Sequence, residues 1–225
     1  MIRRAGAEAI GVFALVFAGC GAIVANAEHS GTLGTVGVAL VFGLIVMAMV
    51  YATGHLSGAH LNPAVTVAFA ATRHFPRREA AAYIAAQLAG ALAAAALLAA
   101  IWPGDPAALG TTQPSVGVGS AFVYEAVLSA FLMFVIMAVA TDARAVGAAA
   151  AIAIGATVGL DALFGGPVTG ASMNPARSLG PALLSGVTGE LWIYLSAPIA
   201  GTVLGALAYQ LVRGEQSAAH EPEGV

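Results

Sequence analysis

The sequence predicts an all-α membrane protein: six transmembrane helices plus two re-entrant half-helices, arranged as an inverted repeat. Three observations predict it. The 225 residues are 60% hydrophobic and only 8% charged, with a mean hydropathy of +0.90, whereas a soluble domain carries about 25% charged residues. Six stretches are apolar over the roughly 20 residues that a spanning helix needs. The tripeptide Asn-Pro-Ala occurs at 62–64 and again at 174–176, half a chain apart.

In chain order, the spans fall at about 7–26, 33–51, 80–101, 121–140, 145–164 and 191–212, and residues 214–225 read as a polar tail. The first span opens with Arg3 and Arg4 and could be mistaken for a lipoprotein signal ending at Cys20. Glu8 interrupts its apolar run and Phe17 is a poor residue three positions before the cysteine, so it is expected to remain. Arg73, Arg77 and Arg78 lie between the second and third spans, Arg144 between the fourth and fifth, and Arg213 after the sixth. With alternating spans these arginines share one side, so the positive-inside rule expects both termini in the cytoplasm. The chain has arginine without lysine and abundant alanine, a composition expected of a GC-rich bacterial genome and its cytoplasmic membrane.

Each Asn-Pro-Ala triplet is a helix start. Asn caps free backbone N–H groups through its side-chain oxygen, and Pro suits the first helical position, where no N–H is needed. The apolar runs that follow are too short to cross, so Asn62, Pro63 and Ala64, and Asn174, Pro175 and Ala176, are read as opening half-helices. Non-helical backbone at membrane depth survives only when buried in protein or lining a water-filled path. Glu8 and Glu125 stand near the start of the first and fourth spans. The chain therefore divides into residues 1–113 and 114–213, each a helix with an early Glu, a helix, a half-helix and a helix, forming one channel domain. Three spans per half invert one half against the other, and such repeats place their working site near the midplane.

The expected chemistry follows. Facing half-helix N-termini, each carrying roughly half a positive charge, repel cations while admitting neutral molecules. Asn62 and Asn174 aim amide donors into the path. The carbonyls of Gly58, Ala59, His60 and Leu61, and of Thr169, Gly170, Ser172 and Met173, can line one wall as acceptors. Glu8 and Glu125 are expected to accept from the N–H groups of those two segments, as scaffolding rather than as interfacial charges. Arg177 follows Asn174 by three residues, and a central membrane arginine costs about 2.5–3.5 kcal/mol on insertion scales, so it is expected to face the pore. Asp161 reads as an interfacial acid near a helix end, ahead of the alternatives that it draws solutes or pairs with Arg177. Phe13, Phe17, Phe131 and Phe134 are expected against lipid or neighbouring helices, and Gly155/Gly159 and Gly201/Gly205 at close helix crossings.

These features resemble the aquaporin, or major intrinsic protein, family. The two boxes, the paired glutamates and the extended motifs "GHLSGAHLNPAVT" and "NPARS" carry the resemblance over residues 4–213. The stretch "TDARAVG…IAIGAT…GGPVTGASMNPARSLGPA" is most similar to the nodulin-like branch, known for glycerol and metalloid hydroxides as well as water. The resemblance implies a homotetramer of pores in the lipid bilayer. It also implies a narrow ring of Phe42, Ala162, Ala171 and Arg177. Water-selective members usually carry His where Ala162 stands, and glycerol facilitators an Asp where Ser178 stands, so this chain departs from both.

The expected function is a passive channel for water and small neutral solutes such as glycerol, urea, and boric or arsenous acid, with ions and protons excluded. A strictly water-selective pore is one alternative, and a secondary transporter, which can also use inverted repeats and broken helices, is another. No catalytic set, cofactor motif or metal-ligand cluster is present in the pattern, and nothing points to nucleic acid.

Overall fold

The computed structural model describes residues 1–142 and 149–213. Arg144 and the 214–225 tail lie outside the described residues. The elements are α1 (Ile2–Glu28), α2 (Gly34–Ser57), α3 (Pro63–Ala71), α4 (Arg77–Ile101), a 3-10 turn at Pro106–Gly110, α5 (Val118–Thr141), α6 (Ala150–Thr169), α7 (Pro175–Ser185) and α8 (Leu191–Val212). Among the described residues, α1, α2, α4, α5, α6 and α8 are long and apolar enough to cross a membrane. α3 has 9 residues and α7 has 11. At 1.5 Å per residue they extend about 14 and 17 Å, roughly half the hydrocarbon core.

The spans run further than composition indicates. α2 continues past residue 51 to Ser57 and ends on Gly58, whose left-handed φ of 88° closes the helix. α6 extends to Thr169 and ends on Gly170 at the same φ of 88°. The helix runs through Gly165, Gly166 and Pro167, and Pro167 forfeits one internal hydrogen bond near its end.

Packing repeats between the halves. α1 lies against α2 and α4 as α5 lies against α6 and α8, while α3 docks on α8 and α7 on α4. The crossings are close because glycine removes the obstructing side chain. A Cβ on Gly90 of α4 would come within 2.2 Å of the Ala9 carbonyl of α1, and one on Gly201 of α8 within 2.1 Å of the Ala126 carbonyl of α5. Gly43 of α2 meets Gly155 and Gly159 of α6 backbone to backbone. Large apolar side chains such as Ile10, Leu40, Leu44, Val123, Phe131 and Leu204 are exposed on the outside of the bundle. The interior packs small residues and apolar side chains such as Leu98, Leu128 and Met133 around the buried polar groups Glu8, Gln87, Glu125, Asp161, Arg177 and Thr202. A bundle solvated by lipid has no hydrophobic drive between helices and relies on such close packing and internal polar contacts.

Candidate functional site

Both half-helices start as their sequences dictate. Asn62 and Asn174 are extended N-caps, Asn62 accepting from the Ala64 N–H and Asn174 from those of Ala176 and Arg177. Pro63 and Pro175 occupy the first helical positions. The caps also reach across. Asn62 Nδ2 donates to the Met173 carbonyl at 2.8 Å, and Asn174 Nδ2 donates to the Leu61 carbonyl at 2.9 Å. One amide hydrogen of each Asn is therefore engaged with the opposite segment, leaving one apiece for the path. Pro63, Ala64, Pro175 and Ala176 are buried behind the channel wall.

The segments entering each box have matching, unusual backbones. Gly58, Ala59 and Leu61 have φ of 88°, 46° and 50°, and Gly170, Ala171 and Met173 have 88°, 43° and 52°. Left-handed non-glycine residues cost on the order of 1–3 kcal/mol each and persist only where the surroundings impose them. Here the imposing groups are carboxylates. Glu8 accepts from the His60 and Leu61 N–H groups, the Ser57 hydroxyl and the Gln87 amide at 2.7–3.0 Å. Glu125 accepts from the Ser172 and Met173 N–H groups at 2.9 Å and from the Thr169 hydroxyl at 2.7 Å. Both carboxylates are fully buried, so the interfacial alternative for them does not hold.

An elongated cavity of about 700 Å³ passes both boxes. Its lining includes Tyr51, His55 and His74, Asn62 and Asn174, Phe42, Ala162, Ala171 and Arg177, and the apolar Val158, Ile154 and Ile136. Gly58, Ala59, His60, Leu61, Ser172 and Met173 line it, but Thr169 and Gly170 do not. Thr169 turns inward instead, its carbonyl accepting from the Tyr194 hydroxyl at 2.6 Å, and Gly170 faces Thr112.

Arg177 is 2% exposed, and its Nη1 donates to the Gly110 carbonyl at 2.8 Å. Its guanidinium lies 5.1 Å from the centroid of the Phe42 ring, within cation–π range. Snorkelling to the surface is excluded by that burial. Asp161 corrects the sequence reading. It is fully buried rather than interfacial, because α6 extends beyond its expected end and seats the residue in the seam against α5.

Several contributors went unnoticed in the sequence. Gln87 bridges Glu8 and Thr66, Tyr83 donates to the Ser57 carbonyl, and Thr202 of α8 donates to the Ala64 carbonyl of α3. Gly19 leaves the space that Phe42 fills, since a Cβ there would come within 2.2 Å of the ring. Gly110 follows a left-handed turn that directs its carbonyl at Arg177. A signal did exist for part of this. Ser57/Thr169, Thr66/Ser178 and Tyr83/Tyr194 are spaced across the halves nearly as the two boxes are, and each pair makes related contacts.

Comparison with known proteins agrees with this geometry. The model of the Major intrinsic protein family matches residues 1–209. The chain belongs to that family. Aquaporin NIP1-1 of Oryza sativa subsp. japonica is 49% identical over 212 residues, covering 94% of this chain and 75% of the relative. Nodulin-26 of Glycine max is 48% identical, covering 94% and 78%. Among solved structures, the aquaglyceroporin from Plasmodium falciparum aligns with a TM-score of 0.85 at 28% identity, covering 94% of this chain and 96% of that one. This member of the major intrinsic protein family is thus an integral membrane channel for water and small solutes, and not an enzyme.

Proposed function

We propose that the channel passes glycerol, urea and undissociated metalloid hydroxides such as boric or arsenous acid as well as water, while holding back ions and protons. One observation carries the reading: Ala162 and Ala171 line the same cavity as Arg177 and Phe42, whose ring lies 5.1 Å from the guanidinium. Two methyl side chains leave width for a carbon chain or a trigonal hydroxide. Phe42, Val158 and Ile154 suit its apolar edge, and Arg177 suits its hydroxyls. The similarity to an aquaglyceroporin supports the same solute class.

Exclusion follows from physical chemistry. A cation entering loses hydration and meets Arg177 and then two helix N-termini, each worth roughly half a positive charge. Water between Asn62 and Asn174 accepts from both sides, which breaks a donor chain for proton transfer. Proline, alanine and the glutamates supply support in this scheme: Pro63, Ala64, Pro175 and Ala176 start the half-helices, and Glu8 and Glu125 hold the carbonyl segments. The two halves, 1–113 and 114–213, form one channel domain, with both termini in the cytoplasm on the strength of the arginine placement. The working unit is a homotetramer. A bacterial cytoplasmic membrane rests on composition alone, and the relatives above are plant proteins.

Proteoliposome swelling tests the solute reading. Glycerol, urea and boric acid are expected to enter alongside water, and Ala162→His should suppress their entry more than that of water. Fast water flow with none of the larger solutes entering would instead favour the strictly water-selective pore.

A further inference from the structure

Asp161 is the residue that this channel scheme does not use. Its carboxyl is fully buried, lies off the cavity lining, and has no hydrogen-bond partner at either oxygen among the described residues. One turn along α6, a Cβ on Gly165 would touch Leu128 and Tyr124 of α5 and, at 3.3 Å, Ala171 of the ring. This part of α6 therefore presses on α5 and on the segment that Glu125 holds. The Ser129 hydroxyl, one turn beyond Glu125 on α5, is likewise buried without a partner.

The charges facing Asp161 do not favour a carboxylate. On α5 the ionisable side chains of this stretch are Tyr124 and Glu125, an acid like Asp161. The part of α2 that meets Gly155 and Gly159 of α6, from Ala39 to Met47, contains no titratable residue. Arg177 of α7 is directed to the Gly110 carbonyl and the Phe42 face. An unpaired ionised carboxylate taken out of water is penalised so heavily that such a group binds a proton instead.

We propose that Asp161 is carried as a neutral carboxylic acid behind the selectivity ring and acts as a positioning residue for it. While neutral, it lets α6 and its Ala162 pack close to Glu125 and the Ala171 segment. Once ionised, it repels Glu125 and competes for the Ser172 and Met173 N–H groups that set Ala171 in place. Loss of the proton thereby loosens two corners of the ring, and larger solutes gain relative to water. An acid kept neutral by an apolar site so that it can serve in that form has precedent in enzymes. The permeation consequence rests on the solute reading above; the protonation state does not.

Two measurements on the full chain test this. Infrared spectra in lipid at neutral pH, with carbon-13-labelled aspartate, should show a protonated-acid carbonyl band that moves with the label and is lost in Asp161→Asn. Absence of a labelled band in the wild type overturns the neutral acid. In swelling assays the wild-type glycerol-to-water ratio should rise as pH is raised, while Asp161→Asn, neutral at every pH, should stay at the low-pH ratio. A wild-type ratio that is flat, or an equal rise in the variant, overturns the positioning role, as does failure of this isosteric variant to fold. No glycerol entry at any pH sinks the solute reading and leaves the infrared result to decide this proposal.

Discussion

At the scale of single residues, the demanding positions are those whose chemistry leaves no substitute. Glu8 is an acceptor at both oxygens, each taking two donors. An amide of the same shape would turn one oxygen into a donor and set it against donors already there. Leaving a buried hydrogen-bonding group unsatisfied costs about 1–3 kcal/mol. Glu8→Gln is therefore expected to lower stability by at least about 2 kcal/mol, read as an earlier thermal unfolding of the detergent-solubilised protein. Unfolding at the wild-type temperature would contradict the four-donor arrangement. Glu8 was legible as a scaffold in the sequence because a carboxyl in an apolar span needs donors nearby. Its partner Gln87 was not, because a glutamine in a helix shows no sign of which way it faces.

At the scale of elements, the bundle depends on where side chains are missing. Gly90 and Gly201 let α4 and α8 rest directly on the backbones of α1 and α5, with the Ala9 and Ala126 carbonyls in the way of any Cβ. Those atoms cannot swing aside as a side-chain tip would. Gly90→Val should separate α1 from α4 and abolish the monodisperse peak in size-exclusion chromatography, whereas Gly6→Val, where a Cβ would meet nothing within 4 Å, should leave it unchanged. Equal behaviour of the two variants would sink the close-contact argument. Small-residue spacing marked Gly201 and Gly205 as packing sites from the sequence, and they meet Ala126 and Ala130 of α5. Gly19 gave no such sign, because its role is to make room for a particular ring on another helix.

At the scale of the whole molecule, the halves are latched at the centre. Each Asn donates to a carbonyl of the other half's left-handed segment, so the two caps share one junction. Contacts of this kind are coupled, typically by about 0.5–3 kcal/mol in double-mutant cycles. Asn62→Ala and Asn174→Ala should each destabilise, and the double variant should lose less than the two combined. Strict additivity in thermal unfolding would mean that the halves do not support one another there. The repeated boxes made this junction foreseeable, though not its detail: amides expected to face the path alone are half engaged in joining the segments.

The sequence alone determined the class of molecule, the number of membrane spans and the two half-helix starts. These follow from local rules: hydropathy over a bilayer's thickness, and the capping chemistry of Asn before Pro. Tertiary structure alone decided which carbonyl receives Arg177, which glycine admits Phe42, which segment residues turn from the channel, and that Asp161 is sealed in a helix seam. Such outcomes depend on the distance and orientation between elements far apart in the chain, and no local pattern encodes the direction in which a buried side chain finds its neighbour.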